Sequence, residues 1–173
     1  MTTRQCEVYP IAMRRFRLRT ALLCASWVAW SASGCASKPP KPVPAVATLS
    51  IVARPDANPD ASGRPSPIVL RLYQLKADAA FVDSDFFPLF DDDKRALGAD
   101  LVSREEMELA PGEARALEVP FAPETRFIAV LGAYRDVGNA RWRAIAPAPG
   151  SKGKRIHVET VAERARVTVS VTP

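Results

Sequence analysis

Cysteine is scarce in this sequence, and it is absent after position 35. Cys6 and Cys24 lie near the N-terminus, and Cys35 is the third and last. The chain that follows Cys35 therefore has no internal disulfide and no cysteine-ligated metal site. Its length is that of one domain and is sufficient to bury a core, so we expect packing alone to stabilise it.

Residues that commonly carry out catalysis are equally sparse. His157 is the single histidine, and it lies in a predicted strand, where a histidine is usually a surface or packed residue. The sequence has no Gly-x-Ser-x-Gly elbow, no glycine-rich phosphate loop and no zinc-ligand spacing. Asp91, Asp92 and Asp93 are consecutive, so they lack the alternating ligand spacing of a calcium loop, and we interpret them as capping or solvated. We expect no enzyme activity, no metal and no cofactor.

Positive charge is in excess only at the N-terminus. The whole chain has a formal net charge of +5, but residues 1–34 hold five of its 24 basic residues and one of its 19 acidic residues. The remainder is nearly neutral. A nucleic-acid partner, which requires a basic patch or stripe, is therefore not expected.

The N-terminal segment has the features of an export signal. Several arginines between Arg14 and Arg19 precede an apolar run, Ala21–Trp30, and small residues follow it. The apolar run is about ten residues long, roughly half of what a transmembrane helix needs. A basic region, a short apolar region and small residues are typical of a signal peptide. We therefore predict that residues 1–34 are a lipoprotein signal peptide.

Cys35 is the predicted lipid attachment site. It follows the small residues Ser33 and Gly34, as lipoprotein signal peptidase requires, with Ala32 at the position where leucine is more usual. The alternative is an ordinary secretory signal that leaves a free thiol. Ala36 after the cysteine, in place of aspartate, favours sorting to the outer membrane.

A proline-rich segment separates Cys35 from the folded part of the chain. Four prolines lie within residues 39–44 and favour extended polyproline geometry. We interpret residues 35–45 as the lipidated cysteine and its tether, and residues 46–173 as one domain. Short runs of alternating apolar and polar residues predict its strands. These runs are Val46–Ala53, Ile68–Leu75, Leu101–Leu109, Ala114–Val119, Thr125–Tyr134, Ala140–Ile145, Arg155–Thr160 and Ala165–Val171.

These seven or eight strands predict a mostly β protein, a two-sheet β-sandwich with a short helical insertion between strands 2 and 3. In residues 77–98 the apolar residues change to helical spacing, with Asp83 or Ser84 as the expected N-cap and Leu97-Gly98 as the helix end. We expect the phenylalanines of this stretch to pack on a sheet. The two strands on either side of Pro111-Gly112 are expected to be joined by a turn.

Residues 54–67 form the longest predicted loop within the domain. They include four prolines and several polar turn residues. A loop of this length inside a compact domain is usually functional or mobile. It is therefore our candidate for a functional surface, against the alternative that it is only a tolerated surface loop.

The order of these features resembles a known family. The residues that carry the resemblance are the run Arg64–Lys76, then Phe81, Asp85-Phe86, Leu89, Leu97–Leu101, Pro111-Gly112 and Trp142-Arg143. Over about residues 46–171 the chain resembles the TssJ (VasD/Lip) lipoproteins of the type VI secretion system. The resemblance implies a transthyretin-like sandwich with an added helical segment.

The same resemblance implies a function. The family's members are outer-membrane lipoproteins that face the periplasm and bind the periplasmic C-terminal region of TssM, an inner-membrane protein that assembles with TssL. It also implies that the loop between the first two strands, Pro55 to Ser66, contacts the partner. The candidate contact residues are Pro55, Asp56, Asn58, Asp60 and Arg64. The alternative is a transthyretin-like carrier, ligand-binding protein or assembly chaperone, for which an apolar pocket between the sheets would be expected.

Overall fold

The computed structural model describes residues 45–149 and 155–173; the predicted signal peptide, Cys35 and the tether up to residue 44 lie outside this range. The strands are β1 (Ala45–Ala53), β2 (Ile68–Leu75), β3 (Leu101–Leu109), β4 (Ala114–Phe121), β5 (Phe127–Ala133), β6 (Arg143–Pro147), β7 (Ile156–Ala162) and β8 (Val167–Thr172). They form two four-stranded sheets, ordered β4-β1-β7-β8 and β3-β2-β5-β6. The predicted two-sheet β-sandwich is confirmed.

Strands β1 and β2 show how the apolar pattern sets the two layers. In β1, every second residue is buried, and Leu49 and Ile51 point into the space between the sheets. In β2, Leu70 and Leu72 point into the same space, while Tyr73 belongs to a second cluster on the outer face of the sheet. Because β2 is buried on both faces and pairs with β3 and β5, it is a central strand, as predicted.

The connections between strands lie at two opposite ends of the sandwich. The register places the end of β1 beside the end of β7 and the start of β4, and the start of β2 beside the ends of β3 and β5. The β1–β2, β3–β4, β5–β6 and β7–β8 connections therefore share one end, which we call the loop end. Ala45, where β1 begins, lies at the other end.

Three short helices and one 3-10 turn form the insertion between β2 and β3. They are α1 (Ala79–Asp83), α2 (Phe86–Asp91), α3 (Asp93–Leu97) and the turn Gly98–Asp100. Pro88 lies in the first turn of α2, where its missing N–H costs no helical bond. Gly98, with φ of 51°, ends α3 as predicted. None of the helices in the described residues is long and apolar enough to cross a bilayer.

Two details of the helical prediction are wrong. Asp85, and not Asp83 or Ser84, occupies the N-cap position of α2. Leu89 is fully buried on the sheet, but Phe87 on the opposite side of the helix is 62% exposed. A six-residue helix presents only one face to a sheet, so the adjacent phenylalanines could not all be covered.

The interpretation of the three aspartates is also corrected at Asp93. Asp92 caps α3, because its carboxylate accepts a hydrogen bond from the Arg95 N–H, and Asp91 is exposed. Asp93 is buried, with its side chain 4% exposed, and Arg104 Nη1 lies 2.7 Å from its Oδ2. A buried charge requires such partners, and the partner on β3 was not evident from the run of acids.

The strands β3 and β4 are correctly predicted but do not form a hairpin. Pro111-Gly112 carries the chain from one sheet to the other, where β4 pairs with β1. The turn is fixed to β1, since the Gly112 N–H donates to the Ala53 carbonyl and the Ala53 N–H donates to the Glu113 carbonyl. Residue periodicity indicates a strand but not its neighbour, so the crossover could not be predicted from it.

Side chains fill the space between the two sheets. Leu49, Ile51, Ile68, Phe121 and Ile128 are each at most 1% exposed and belong to one continuous cluster. A carrier of small molecules would need an apolar cavity at this position.

Candidate functional site

The β1–β2 connection, residues 54–67, has a defined internal structure. The Ala57 N–H donates to the Arg54 carbonyl, the Gly63 N–H to the Asp60 carbonyl and the Ser66 N–H to the Ala57 carbonyl. Ala57 is fully buried beneath it and belongs to the inter-sheet core. The loop is therefore folded onto the sandwich and presents a fixed surface.

Asn58 holds this loop to its neighbours. It is 3% exposed, its Nδ2 donates to the Pro67 carbonyl at 2.6 Å, and its Oδ1 accepts from the Arg135 N–H at 2.8 Å. Its φ is 49°, a left-handed conformation that asparagine tolerates better than most residues. Among the predicted contact residues, Asn58 is thus the one whose side chain points inward.

Asp60 closes the outer turn of the loop. Its Oδ1 accepts hydrogen bonds from the Ser62 and Arg64 N–H groups at 2.9 and 3.0 Å, and its Oδ2 accepts from Arg64 Nε at 3.2 Å. The hydrogen bond from the Arg64 backbone is the main cause that lowers the pKa of Asp60 below its usual value. The Arg64 side chain remains 82% exposed, so it is available to a partner.

The other two predicted contact residues, Pro55 and Asp56, are exposed. The structure thus places Pro55, Asp56 and Arg64 at the surface and Asp60 in a half-buried turn. Cys35, the predicted lipid attachment site, is outside the described residues.

Two further connections complete the surface of the loop end. In the β5–β6 connection, the Arg141 N–H donates to the Ala165 carbonyl, and the Tyr134 hydroxyl donates to the Glu163 carbonyl at 3.2 Å. Burial is the main cause that raises the pKa of Tyr134, so the hydroxyl stays protonated and able to donate. In the β7–β8 connection, the Arg164 carbonyl accepts from the Asn58 N–H. The three connections are thereby bonded into one structure.

Arginine is the most frequent charged residue on the outer surface of these connections. One concavity is lined by Arg54, Arg141, Arg164 and Arg166 together with Asp56 and Glu163. The adjoining concavity is lined by Arg135 and Arg164 together with Asp60 and Asp136. Sequence reasoning named only the β1–β2 loop. The available signal was that Arg54, Arg135 and Arg164 each follow the end of a strand by one or two residues, but only the topology shows that these strand ends coincide.

The polar side chains of this surface are arranged for hydrogen bonds and ion pairs. No group of three or more histidine, cysteine, aspartate or glutamate residues in the described ranges is arranged to hold a metal ion. His157 is exposed on β7 and pairs across the sheet with Thr48. An ordered and exposed polar surface suits contact with another macromolecule.

Comparison with known proteins agrees with the sequence resemblance. Residues 45–171 match the family described as type VI secretion lipoprotein, VasD, EvfM, TssJ. The chain is similar to the T6SS lipoprotein TssJ1 from Pseudomonas aeruginosa, with 35% identity, a TM-score of 0.69, and coverage of 76% of this chain and 98% of that one. No curated protein matches.

Two other solved structures are similar over the same region. Serratia marcescens Lip, a membrane-bound component of the type VI secretion system, is 27% identical, with a TM-score of 0.66 and coverage of 75% of this chain and 99% of that one. A chain in a structure described as a type VI membrane complex is 25% identical, with a TM-score of 0.60 and coverage of 76% and 100%.

The family match extends over both sheets, the helical insertion and the loop end. The family consists of structural components of the secretion system and not of enzymes. This agrees with the absence of catalytic motifs from the sequence. The chain belongs to the TssJ family of type VI secretion lipoproteins.

Proposed function

We propose that this protein is anchored in the outer membrane through acylated Cys35, faces the periplasm, and binds the periplasmic C-terminal region of a TssM-type inner-membrane protein. In this proposal it is the outer-membrane component of a TssJ-TssL-TssM-like trans-envelope complex. The proposed docking surface is the loop end, with the exposed residues Pro55, Asp56 and Arg64 of the β1–β2 loop among its contacts.

The observation that carries the proposal is the position of the loop end relative to Ala45. Strand β1 starts at Ala45, which was predicted as the last residue of the tether and is the first described residue, and β1 ends at Ala53, where the loop begins. Nine residues of strand span about 30 Å. If a lipid is attached upstream of Ala45, the loop end is therefore the part of the domain that lies farthest from the anchor along the axis of β1.

The internal bonding of the loop end also supports the proposal. A binding loop that is already ordered loses less conformational entropy on association than a flexible one. Asn58 and Asp60 provide this order through the hydrogen bonds described above. The similarity to a chain in a type VI membrane complex supports a role in an assembly of the same kind.

The anchor is tested by Cys35→Ser. We expect this variant to lose incorporation of labelled fatty acid and to move from the outer-membrane fraction to the soluble periplasmic fraction, because the thiol is the proposed acylation site. Ala36→Ser, in the same preparation, controls for changes near the cleavage site. Unchanged membrane fractionation of Cys35→Ser would contradict the proposed anchor.

The docking surface is tested by exchanging its exposed side chains. We expect Arg64→Ala to reduce co-purification of the TssM-type periplasmic domain of the same organism, because this side chain is 82% exposed, while Ala57 and Asn58 keep the loop folded. Arg126→Ala removes the same charge from the exposed β4–β5 turn, at the end that contains Ala45. If the two variants bind equally well, the docking surface lies elsewhere.

A further inference from the structure

We propose that the surface which docks on the loop end is acidic, and that Arg54, Arg135, Arg141 and Arg164 bind its carboxylates. This inference rests on the proposed function, because it specifies the chemistry of the partner at the same site. It extends the site from the β1–β2 loop to the β5–β6 and β7–β8 connections.

The first support is the distribution of ion pairs. The three connections contain six arginines and four acids. Two of the arginines are neutralised within the chain, since Arg64 pairs with Asp60 and Arg166 pairs with Glu163. The remaining four arginines make no ion pair with the described residues. They are Arg54, Arg135, Arg141 and Arg164.

The acids at this end are largely committed to bonds of their own. Both carboxylate oxygens of Asp136 accept from Asn139 Nδ2 at 3.0 Å. Asp60 holds the turn around Ser62, and Glu163 accepts from Arg166. Asp56 is the acid of the three connections that has no described partner. Six arginines against four acids give the three connections a surplus of positive charge.

This surplus is local and not a property of the whole domain. The domain is nearly neutral, and the connection between β2 and β3, residues 76–100, holds seven acids and three bases. Positive charge is thus concentrated at the loop end and negative charge on the helical insertion. Segregation of this kind steers association with a partner of opposite charge.

The second support is that the backbone of every one of the four arginines is bonded to a neighbouring strand end or connection. The N–H groups of Arg54 and Arg141 donate to the carbonyls of Ala162 and Ala165. The Arg135 N–H donates to Asn58 Oδ1, and the Arg164 carbonyl accepts from the Asn58 N–H. The four side chains are exposed, so they extend into solvent from a backbone that is held by hydrogen bonds.

A fixed backbone with free guanidinium groups suits the recognition of carboxylates. Arginine presents paired N–H donors that match the two oxygens of aspartate or glutamate, and such charge-assisted bonds are stronger than neutral ones. Because the loop end is opposite Ala45, an acidic protein segment, and not anionic lipid next to the anchor, is the occupant that we propose.

The test measures the affinity of the full-length protein, purified in mild detergent, for the TssM-type periplasmic domain of the same organism. We expect Arg141→Glu/Arg164→Glu to weaken binding by at least about tenfold, since each reversal replaces an attraction with a repulsion. Lys76→Glu/Arg126→Glu, which makes the same change in net charge at exposed positions near the other end, should bind as the unaltered protein does.

Salt provides the second measurement. Raising NaCl from about 50 to about 300 mM should weaken binding of the unaltered protein more than that of Arg141→Glu/Arg164→Glu, because screening acts on the charges that the variant has lost. Thermal unfolding of each variant confirms that the sandwich is intact.

Each other outcome overturns the inference. If Arg141→Glu/Arg164→Glu binds as tightly as the unaltered protein, the partner does not contact these arginines. The proposed function would not be contradicted by that result. Equal weakening in both double variants would indicate a general charge effect. A loss of binding to phosphatidylglycerol vesicles alone would identify lipid as the occupant. Failure of the unaltered protein to bind at all would contradict the proposed function itself.

Discussion

Replacing Asp93 with alanine should lower the free energy of unfolding by about 3 kcal/mol. The Asp93 carboxylate lies 2.7 Å from Arg104 Nη1, 3.8 Å from Arg71 Nη1 and 3.3 Å from the Tyr73 hydroxyl. Its removal takes one of two carboxylates from the Arg71 guanidinium, which is 12% exposed and keeps Glu106 and the Phe90 carbonyl as partners. Breaking a buried ion pair typically costs about 3–5 kcal/mol. The lower value applies because Arg104 is 39% exposed and Arg71 also pairs with Glu106.

The measurement is urea unfolding of Asp93→Ala beside Asp91→Ala. Asp91 is exposed and two residues away, so its replacement should change stability by less than about 0.5 kcal/mol. If both variants lose the same free energy of unfolding, the helical segment is sensitive to any substitution, and the loss cannot be assigned to the buried ion pair of Asp93. A loss below about 1 kcal/mol for Asp93→Ala would contradict the role assigned to the pair.

Asn58→Ala should lower stability by about 3 kcal/mol and also weaken partner binding. It removes the hydrogen bonds to the Pro67 carbonyl and from the Arg135 N–H, which are both partly buried, at about 0.5–1.5 kcal/mol for each. Alanine must also adopt the positive φ of 49°, which costs about 1 kcal/mol. Binding should fall although Asn58 is buried, because the Arg135 backbone loses its attachment to the β1–β2 loop.

Three comparisons separate the parts of this effect. Asn58→Gly tolerates the positive φ, so its loss should reflect the missing hydrogen bonds alone. Asn58→Asp keeps the acceptor for Arg135 but not the donor to Pro67, and should lie between Asn58→Gly and the unaltered protein. Asn139→Ala alters an exposed asparagine of the β5–β6 turn and should cost less than about 1 kcal/mol. Normal partner binding by a folded Asn58→Ala would show that the loop needs no fixed position.

Local pattern was sufficient to predict the strands. The run Ile68–Leu75 was predicted with its observed bounds and its central position, because apolar residues on both faces require a covered strand. The pairing of β4 with β1 was not predictable in this way, since it depends on contacts between residues far apart in sequence. Asp93 illustrates the same limit. The two acids that precede it in the chain are exposed, whereas its partners lie on β2 and β3.

Of the three connections that form the candidate site, only the β1–β2 loop was predictable from the sequence. Length, proline and turn residues singled out the β1–β2 loop, but its individual side chains carried no sign of their direction. Asn58 and Asp56 are both polar loop residues in the sequence, yet one is buried and the other exposed. Which connections share an end of the sandwich follows from strand register alone. Only the three-dimensional structure therefore shows that the arginines of the β5–β6 and β7–β8 connections lie at the same site.

The position of β1 within its sheet has a mechanical consequence. This strand joins the end that contains Ala45 to the docking loop, and it is paired along nearly its whole length with β4 on one side and β7 on the other. If the proposed anchor and the proposed docking loop are both engaged, tension between them would act along β1, across the hydrogen bonds that join it to β4 and β7. Such a load would shear both ladders at once and would not break their hydrogen bonds one after another. The strand that leads into the proposed docking loop is thus held by two neighbours against a pull along its own axis.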